Sequence, residues 1–319
     1  MSEHDSAMLL VQPYRFTFRC EQAAWFPAGT LTNHLRGAFG IIFRRMVCRP
    51  GCSRPETCPS ASTCPYARLF APRLNGIGRP DMADMPRPFV LRAPVSDDLH
   101  LAAGDTFLFD LHLFDFSQPN LRYFIWAFLE LAVEGLGRGN PRVRLEKVER
   151  IAGDGKPTVV VFDKLGIRPD AESVTLRLSL TPPEQPVDSL RLEFLTPTET
   201  SHQKMELRTP YFPAIVGRAC DRIEKLCQFF QTRLPYVDFR RLRERAQAVQ
   251  MLEVRLCETE IWRKSRGTGQ IHEVGGFLGY ADFAGDLTEF VPWLKAAWWT
   301  GVGRYTVWGQ GAVRVVLPD

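Results

Sequence analysis

The chain has 319 residues, 45% of them hydrophobic and 24% charged, the balance of a soluble globular protein with room for two ordinary domains. No run of eighteen uncharged apolar residues occurs, so no membrane span is expected, and the start "MSEHDSAMLLVQ" has acids where a secretory leader has basic residues, which points to the cytoplasm. A net charge of +4 permits an anionic partner without demanding one, and the missing G-x-x-x-x-G-K-[ST] and G-x-S-x-G patterns exclude a P-loop and a nucleophile elbow.

The first element is a strand: "YRFTFRCEQ" alternates, with Phe16 and Phe18 on one side. A helix follows over about Leu31 to Met46. Leu31, Leu35, Ala38, Ile42 and Met46 form its apolar stripe, and Asn33, Arg36, Gly37, Gly40 and Arg44 lie on the other side. Two glycines within one helix cost about 1 kcal/mol each against alanine, which is tolerable if something packs close against that face. His34 sits at the edge between the faces. It reads either as a helix-start histidine with no chemistry or as a proton carrier reaching a ligand.

Residues 48–64, "CRPGCSRPETCPSASTC", space Cys48, Cys52, Cys58 and Cys64 as C-x3-C-x5-C-x5-C. The stretch has almost nothing apolar to bury, so metal bonds are the expected source of order: a structural zinc, or less readily an iron–sulfur cluster, against free or disulfide-bonded thiols in a surface loop. Cys20, Cys220, Cys227 and Cys257 lie in apolar patterns and are expected in the core.

Strands are expected in "DTFLFDLHLFDF", where His112 is a core residue, and in "PRVRLEKVERI". Between them lies the helix "NLRYFIWAFLELAVEGLG", closed by the turn "GLGRGN" at residues 135–140, which carries Arg138. The polar "TPPEQPVDS" reads as a linker. The second half repeats the order: strand "LRLEFLTPTET", helix "YFPAIVGRACDRIEKLCQFFQTRL", strand "QMLEVRLCETEIW", helix "DLTEFVPWLKAAWW" and a last β-rich segment. Two βαββαβ units in tandem, residues 1–183 and 184–319, follow as an α+β fold. Four basic clusters, near Arg44, Arg138, Arg240 and Arg263, each fit a solvated face, but together they predict at least one phosphate-binding patch.

The last segment, "GVGRYTVWGQGAVRVV", sets Gly301, Gly303, Gly309 and Gly311 around Tyr305 and Trp308. Read as a hairpin-like stretch, it has glycines where they weaken a sheet, which marks a bulge or the close approach of another backbone.

The two-unit order, "LRGAFG" with a cysteine insertion after it, "FLTPTET" and above all "GVGRYTVWGQGAV" resemble the RAMP superfamily of CRISPR systems, and within it the precursor-crRNA processing endoribonucleases. The resemblance spans essentially the whole chain. It implies tandem ferredoxin-like (RRM-like) domains, CRISPR repeat RNA as substrate, and metal-independent cleavage by the 2′-hydroxyl to give 2′,3′-cyclic phosphate and 5′-hydroxyl ends. The catalytic set it implies here is His34 with Arg36 or Tyr14, and His202 and His272 are the alternative histidines. No lysine stands beside His34, which leaves the phosphate-stabilising group open. RNA contacts fall to Gly301, Gly303, Arg304, Tyr305, Gly309, Gly311, Arg263, Arg266 and Arg138, the glycines offering backbone N–H groups to phosphate. One rival is a non-catalytic RAMP subunit that grips crRNA beside other effector subunits. The other is a zinc-stabilised protein with a different acidic partner.

Overall fold

Alternation and helical periodicity fix most of the elements, and the computed structural model gives their extents. It describes residues 7–318 apart from 50, 53–57, 61–62, 71, 73–84, 95–97, 118, 169–173, 203–204, 236, 260–261, 265–270 and 274; the side chains of 202, 205, 262–264 and 271–273 are also outside the description. The chain divides into two compact units, Gln12–Leu176 and Arg177–Asp319, the second including the start of the chain through Val11. Both mix helix and sheet, so the class is α+β.

The first unit runs β1 (Met8–Cys20), β2 (Ala24–Phe26), α1 (Leu31–Val47), α2 (Pro65–Phe70), β3 (Phe89–Arg92), β4 (Leu99–Leu101), β5 (Thr106–Leu113), α3 (Asn120–Glu134), β6 (Val143–Ile151), β7 (Pro157–Asp163) and β8 (Gly166–Ile167). The main sheet has the order β3-β5-β1-β6-β7-β8, with antiparallel neighbours. From Tyr14 to Cys20 every second side chain of β1 is buried, because that face meets helices. Phe16 stacks on Phe109 at 5.0 Å and Phe18 on Phe107 at 5.3 Å, each directly across the ladder. Phe39 of α1 and Phe124 of α3 stack at 4.0 Å to close the layer. The stripe of α1 is Leu35, Phe39, Ile42 and Phe43. Met46, expected inside, is 38% exposed, since the helix's last turn runs past the edge of the core.

The second unit runs β9 (Leu176–Ser179), β10 (Ser189–Thr198), β11 (Thr200–His202), β12 (Met205–Leu207), α4 (Phe212–Phe230), α5 (Phe239–Ala246), β13 (Gln250–Thr259), β14 (Trp262–Lys264), β15 (Ile271–Glu273), β16 (Gly276–Ala284), α6 (Val291–Thr300) and β17 (Val313–Val316). Its sheet has the order β13-β16-β10-β17. Leu190, Leu192 and Phe194 face the core, as their alternation predicts. Phe212 at the start of α4 packs on Phe283 at 4.9 Å and Phe290 at 5.3 Å. In both units the first long strand lies inside its sheet between two antiparallel neighbours, β5 and β6 for β1 and β16 and β17 for β10.

Two expectations are corrected. The glycine segment is not a hairpin: 301–312 is a loop around a 3-10 turn, Thr306–Trp308, and only Val313–Val316 is strand. Cys257 is exposed rather than core, because β13 is an edge strand whose residues are largely solvent-facing. Cys20, Cys220, Cys227 and His112 are buried. Among the described residues no helix is long and apolar enough to cross a membrane.

Candidate functional site

Three places in the fold gather the residues with chemistry to offer. The first is the entry to α1. Thr30 donates its N–H (3.0 Å) and its hydroxyl (2.7 Å) to the Pro27 carbonyl, which fixes the turn before the helix. The Thr30 carbonyl then accepts from the His34 backbone at 3.1 Å and lies 2.9 Å from His34 Nδ1. A carbonyl only accepts, so Nδ1 carries the proton, and Nε2 of the neutral ring is the acceptor. The half-buried imidazole is set edge-on to Phe26 at 5.9 Å.

The turn after α3 comes to the same corner. Gly137 has φ +99°, and a methyl built on it would lie 2.9 Å from the Phe26 ring. The turn holds Arg138 with its guanidinium 5.5 Å from the centre of Trp25. Trp25 pairs across β2 and β4 with His100, their rings 6.0 Å apart and nearly parallel. Arg138 and His100 are exposed and Trp25 half-buried. Trp25 and Phe26 are neighbours in β2 and so face opposite ways: Arg138 and His100 meet the Trp25 ring on one side of the strand, and His34 meets Phe26 on the other. Sequence reading missed Trp25; its signal was the short apolar "AWF" just before the helix.

Arg36 and Tyr14 do not join this corner. Two residues along a helix are about 200° apart around its axis. His34 therefore meets Phe26 while the Arg36 guanidinium lies 5.1 Å over Phe70 of α2. Gly40 answers in the same way for its lack of a side chain: a methyl there would come within 3.0 Å of the Phe70 ring. Tyr14 is 1% exposed and its hydroxyl donates to Gln12 at 3.3 Å, so it is a core residue and not a reacting group. It shares the β1 face of Phe16 and Phe18, which turns it inward.

The second place is the 301–312 loop. What approaches its glycines is the protein's own backbone. A methyl on Gly303 (φ +83°) would lie 2.1 Å from the Glu199 carbonyl oxygen, and one on Gly311 (φ +70°) 1.8 Å from that of Val302. Three of the four glycine N–H groups are taken up within the protein: Gly301, Gly309 and Gly311 donate to Ala297, Thr306 and Pro197 at 2.8, 3.0 and 3.0 Å. The loop presents side chains instead. Arg304 is paired to the buried Glu199 at 2.6 Å and lies 5.1 Å over Tyr305, which stacks on Trp308 at 4.9 Å and 7°. The hydrogen bond to Glu199 holds the Arg304 guanidinium above its ordinary pKa. Tyr305 itself adopts the left-handed conformation, φ +57°, uncommon outside glycine. Glu199 was not foreseen; an acid inside the apolar "FLTPTET" was its signal.

The third place is the cysteine loop. Cys48 caps α1 and Cys64 leads into α2. All four cysteines are half-buried free thiols. Burial, with the Cys64 and Cys52 thiols close by, pushes the Cys48 thiol up to about 11. The side chains of His202, Arg263 and His272, and all of Arg266, lie outside the described residues.

Comparison with known proteins completes the picture. A family model described as "N-terminal domain" matches residues 9–172, just over half the chain. The model described as CRISPR-associated endoribonuclease Cas6 matches residues 192–313. No curated protein matches. Among solved structures, Thermus thermophilus Cas6 is similar with 17% identity over 96% of this chain and 98% of that one, at a TM-score of 0.55. A Cas6 product complex gives 19% identity over 96% and 99%, at 0.58. A partial Cas6-RT-Cas1–Cas2 complex gives 13% over 99% of this chain and 47% of that one, at 0.55. The second unit thus carries a CRISPR-associated Cas6 endoribonuclease domain and the chain shares the fold of the solved Cas6 proteins, so the protein is an endoribonuclease of CRISPR precursor-crRNA processing.

Proposed function

We propose that the chain cuts CRISPR repeat RNA within precursor crRNA through tandem ferredoxin-like domains, without a catalytic metal. The 2′-oxygen attacks the adjacent phosphorus as its proton leaves. The P–O5′ bond breaks and the 5′ oxygen takes up a proton. The products are a 2′,3′-cyclic phosphate and a 5′-hydroxyl. The step asks for a base, a cation at the crowded phosphate and an acid. The observation that carries the reading is the Thr30–His34 contact, which presents Nε2 as a proton acceptor at a rigid helix entry. Arg138 is the cation brought nearest this corner by its turn, since the preceding Gly137 packs on the Phe26 ring that His34 also meets.

The Arg304–Tyr305–Trp308 stack serves as a second contact, where a base or a phosphate meets side chains rather than glycine amides. Gly301, Gly303, Gly309 and Gly311 keep that stack in place. The matching endoribonuclease model supports RNA as the partner, and the similar Cas6-RT-Cas1–Cas2 complex supports assembly with other CRISPR proteins; the place proposed for this work is the cytoplasm.

The test is cleavage of repeat RNA from the same genome, in EDTA, by wild type and His34→Ala. A substrate with a 2′-deoxy at the cut site serves as control. Wild type is expected to cut, the deoxy substrate to stay intact, and the variant to bind normally but cut at least about 100-fold more slowly. Unchanged cutting by His34→Ala would remove the base from this corner. Tight binding with no cutting by wild type would establish the non-catalytic subunit instead.

A further inference from the structure

Strand β13 ends its sheet. Among the described strands it pairs on one side only, with β16, and its other backbone edge is open to a further strand. The pairing sets Met251 beside Phe283 and Val254 beside Ala281, both buried residues of β16, so Met251 and Val254 point to the inward face of the sheet. At the edge that face runs out of cover. Met251 is 44% and Val254 38% exposed, and Leu252, at the bulge between Met251 and Glu253, is 64% exposed. A strand of 10 residues with apolar side chains in water and one free edge is a template for strand addition.

The residues of the edge say which strand fits. Residues 252–256 read Leu-Glu-Val-Arg-Leu: apolar, acid, apolar, base, apolar. Read backwards the order is the same, except that acid and base trade places. Two such strands laid antiparallel about a two-fold axis through Val254 set each Glu253 opposite Arg255 of the other copy. Val254 then meets Val254, and Leu252 meets Leu256. Within one chain Glu253 already pairs with Arg255 at 2.8 Å and accepts from the Tyr280 hydroxyl at 3.1 Å, which fixes both charges on the outward face. Two copies thus form a ring of charges in which every neighbour has the opposite sign. A strand without this order puts like charges together or leaves these charges unmatched. Val254 meeting its own counterpart also places the inward faces of both copies on one side of the joined sheet. The half-covered apolar residues of each edge then lie side by side and shield one another.

We propose that two copies of this chain associate through β13, antiparallel about Val254, so that the sheets of their second units run on as one. The contact uses no residue assigned to RNA and does not rest on the cleavage reading.

The experiment uses the full-length protein without RNA. Sedimentation over a concentration series is expected to show wild type passing from monomer to dimer, with amide exchange in 252–256 slowing as the dimer forms. Glu253→Arg sets arginine opposite arginine, and Arg255→Glu sets acid opposite acid, so each alone is expected to weaken the dimer by about tenfold or more. Mixed together, these two variants are opposite in sign at every facing position and are expected to form the heterodimer, which also shows that both are folded. Glu253→Arg and Arg255→Glu in one chain restore the self-match and the dimer. Wild type that stays monomeric would overturn the proposal and leave the edge to a strand of another protein. A wild-type dimer untouched by either single exchange, or one rescued neither by mixing nor by the double exchange, would overturn this register and place the contact elsewhere.

Discussion

Arg304 and Glu199 are joined twice, backbone N–H to carbonyl at 3.1 Å and guanidinium to carboxylate at 2.6 Å, although they stand more than a hundred residues apart. The carboxylate is buried and the guanidinium mostly exposed, so the charge pairing itself is partly screened. Glu199→Gln keeps the shape and the backbone bond. It is expected to lower unfolding stability by on the order of 1 kcal/mol in urea titration. Glu199→Ala loses more, because it opens a buried space as well. Equal losses would mean that only the backbone bond matters.

The glycines separate cleanly by surroundings. Gly303→Ala puts a methyl 2.1 Å from a carbonyl oxygen at a positive φ and is expected to cost about 2 kcal/mol or more. Gly37, inside α1 with nothing within 4 Å, is expected to gain up to about 1 kcal/mol as alanine. Thermal unfolding of both variants without RNA checks the contrast.

At the His34 corner, Trp25→Ala is expected to weaken repeat-RNA binding by about 1–3 kcal/mol, the worth of one stacked base, with Trp25→Phe recovering most of it. Arg138→Ala should flatten the salt dependence of binding by about one phosphate contact. Binding measured across salt concentrations separates the two. Stacking loss shifts the line, whereas phosphate loss changes its slope.

In β10, Arg191 grips Asp282 of β16 through two bonds, at 2.7 and 2.8 Å, and those bonds hold the carboxyl below its usual pKa. A depressed folded pKa means that the contribution is present above the unfolded value, near about 4, and is lost as pH falls through the folded one. Wild type should therefore exceed Asp282→Asn in stability at neutral pH, with the gap closing on acidification below about 4. A gap constant with pH would assign the difference to packing.

The fold was largely legible because its signals are local. Alternation placed Phe16, Phe18, Leu190, Leu192 and Phe194 inward, and helical spacing placed α1. The site was less so, because its contacts join distant segments. That the partner of Gly303 is Glu199, and that of Gly40 is Phe70, has no trace in nearby residues. Tyr14 was misassigned for ignoring the same alternation that placed Phe16. His34 and Arg36 were grouped by sequence proximity, yet a helix turns such neighbours apart.

The 301–312 loop spends many of its amides on itself, on Pro197, on Glu199 and on the end of α6. Its conformational entropy has thus been surrendered during folding, before any RNA arrives. Encounter at that surface then requires little rearrangement, so association should be governed by electrostatic steering and approach diffusion control. Recognition, resting on the exchangeable side chains of Arg304, Tyr305 and Trp308, can be retuned to a new repeat without rebuilding the backbone that carries it.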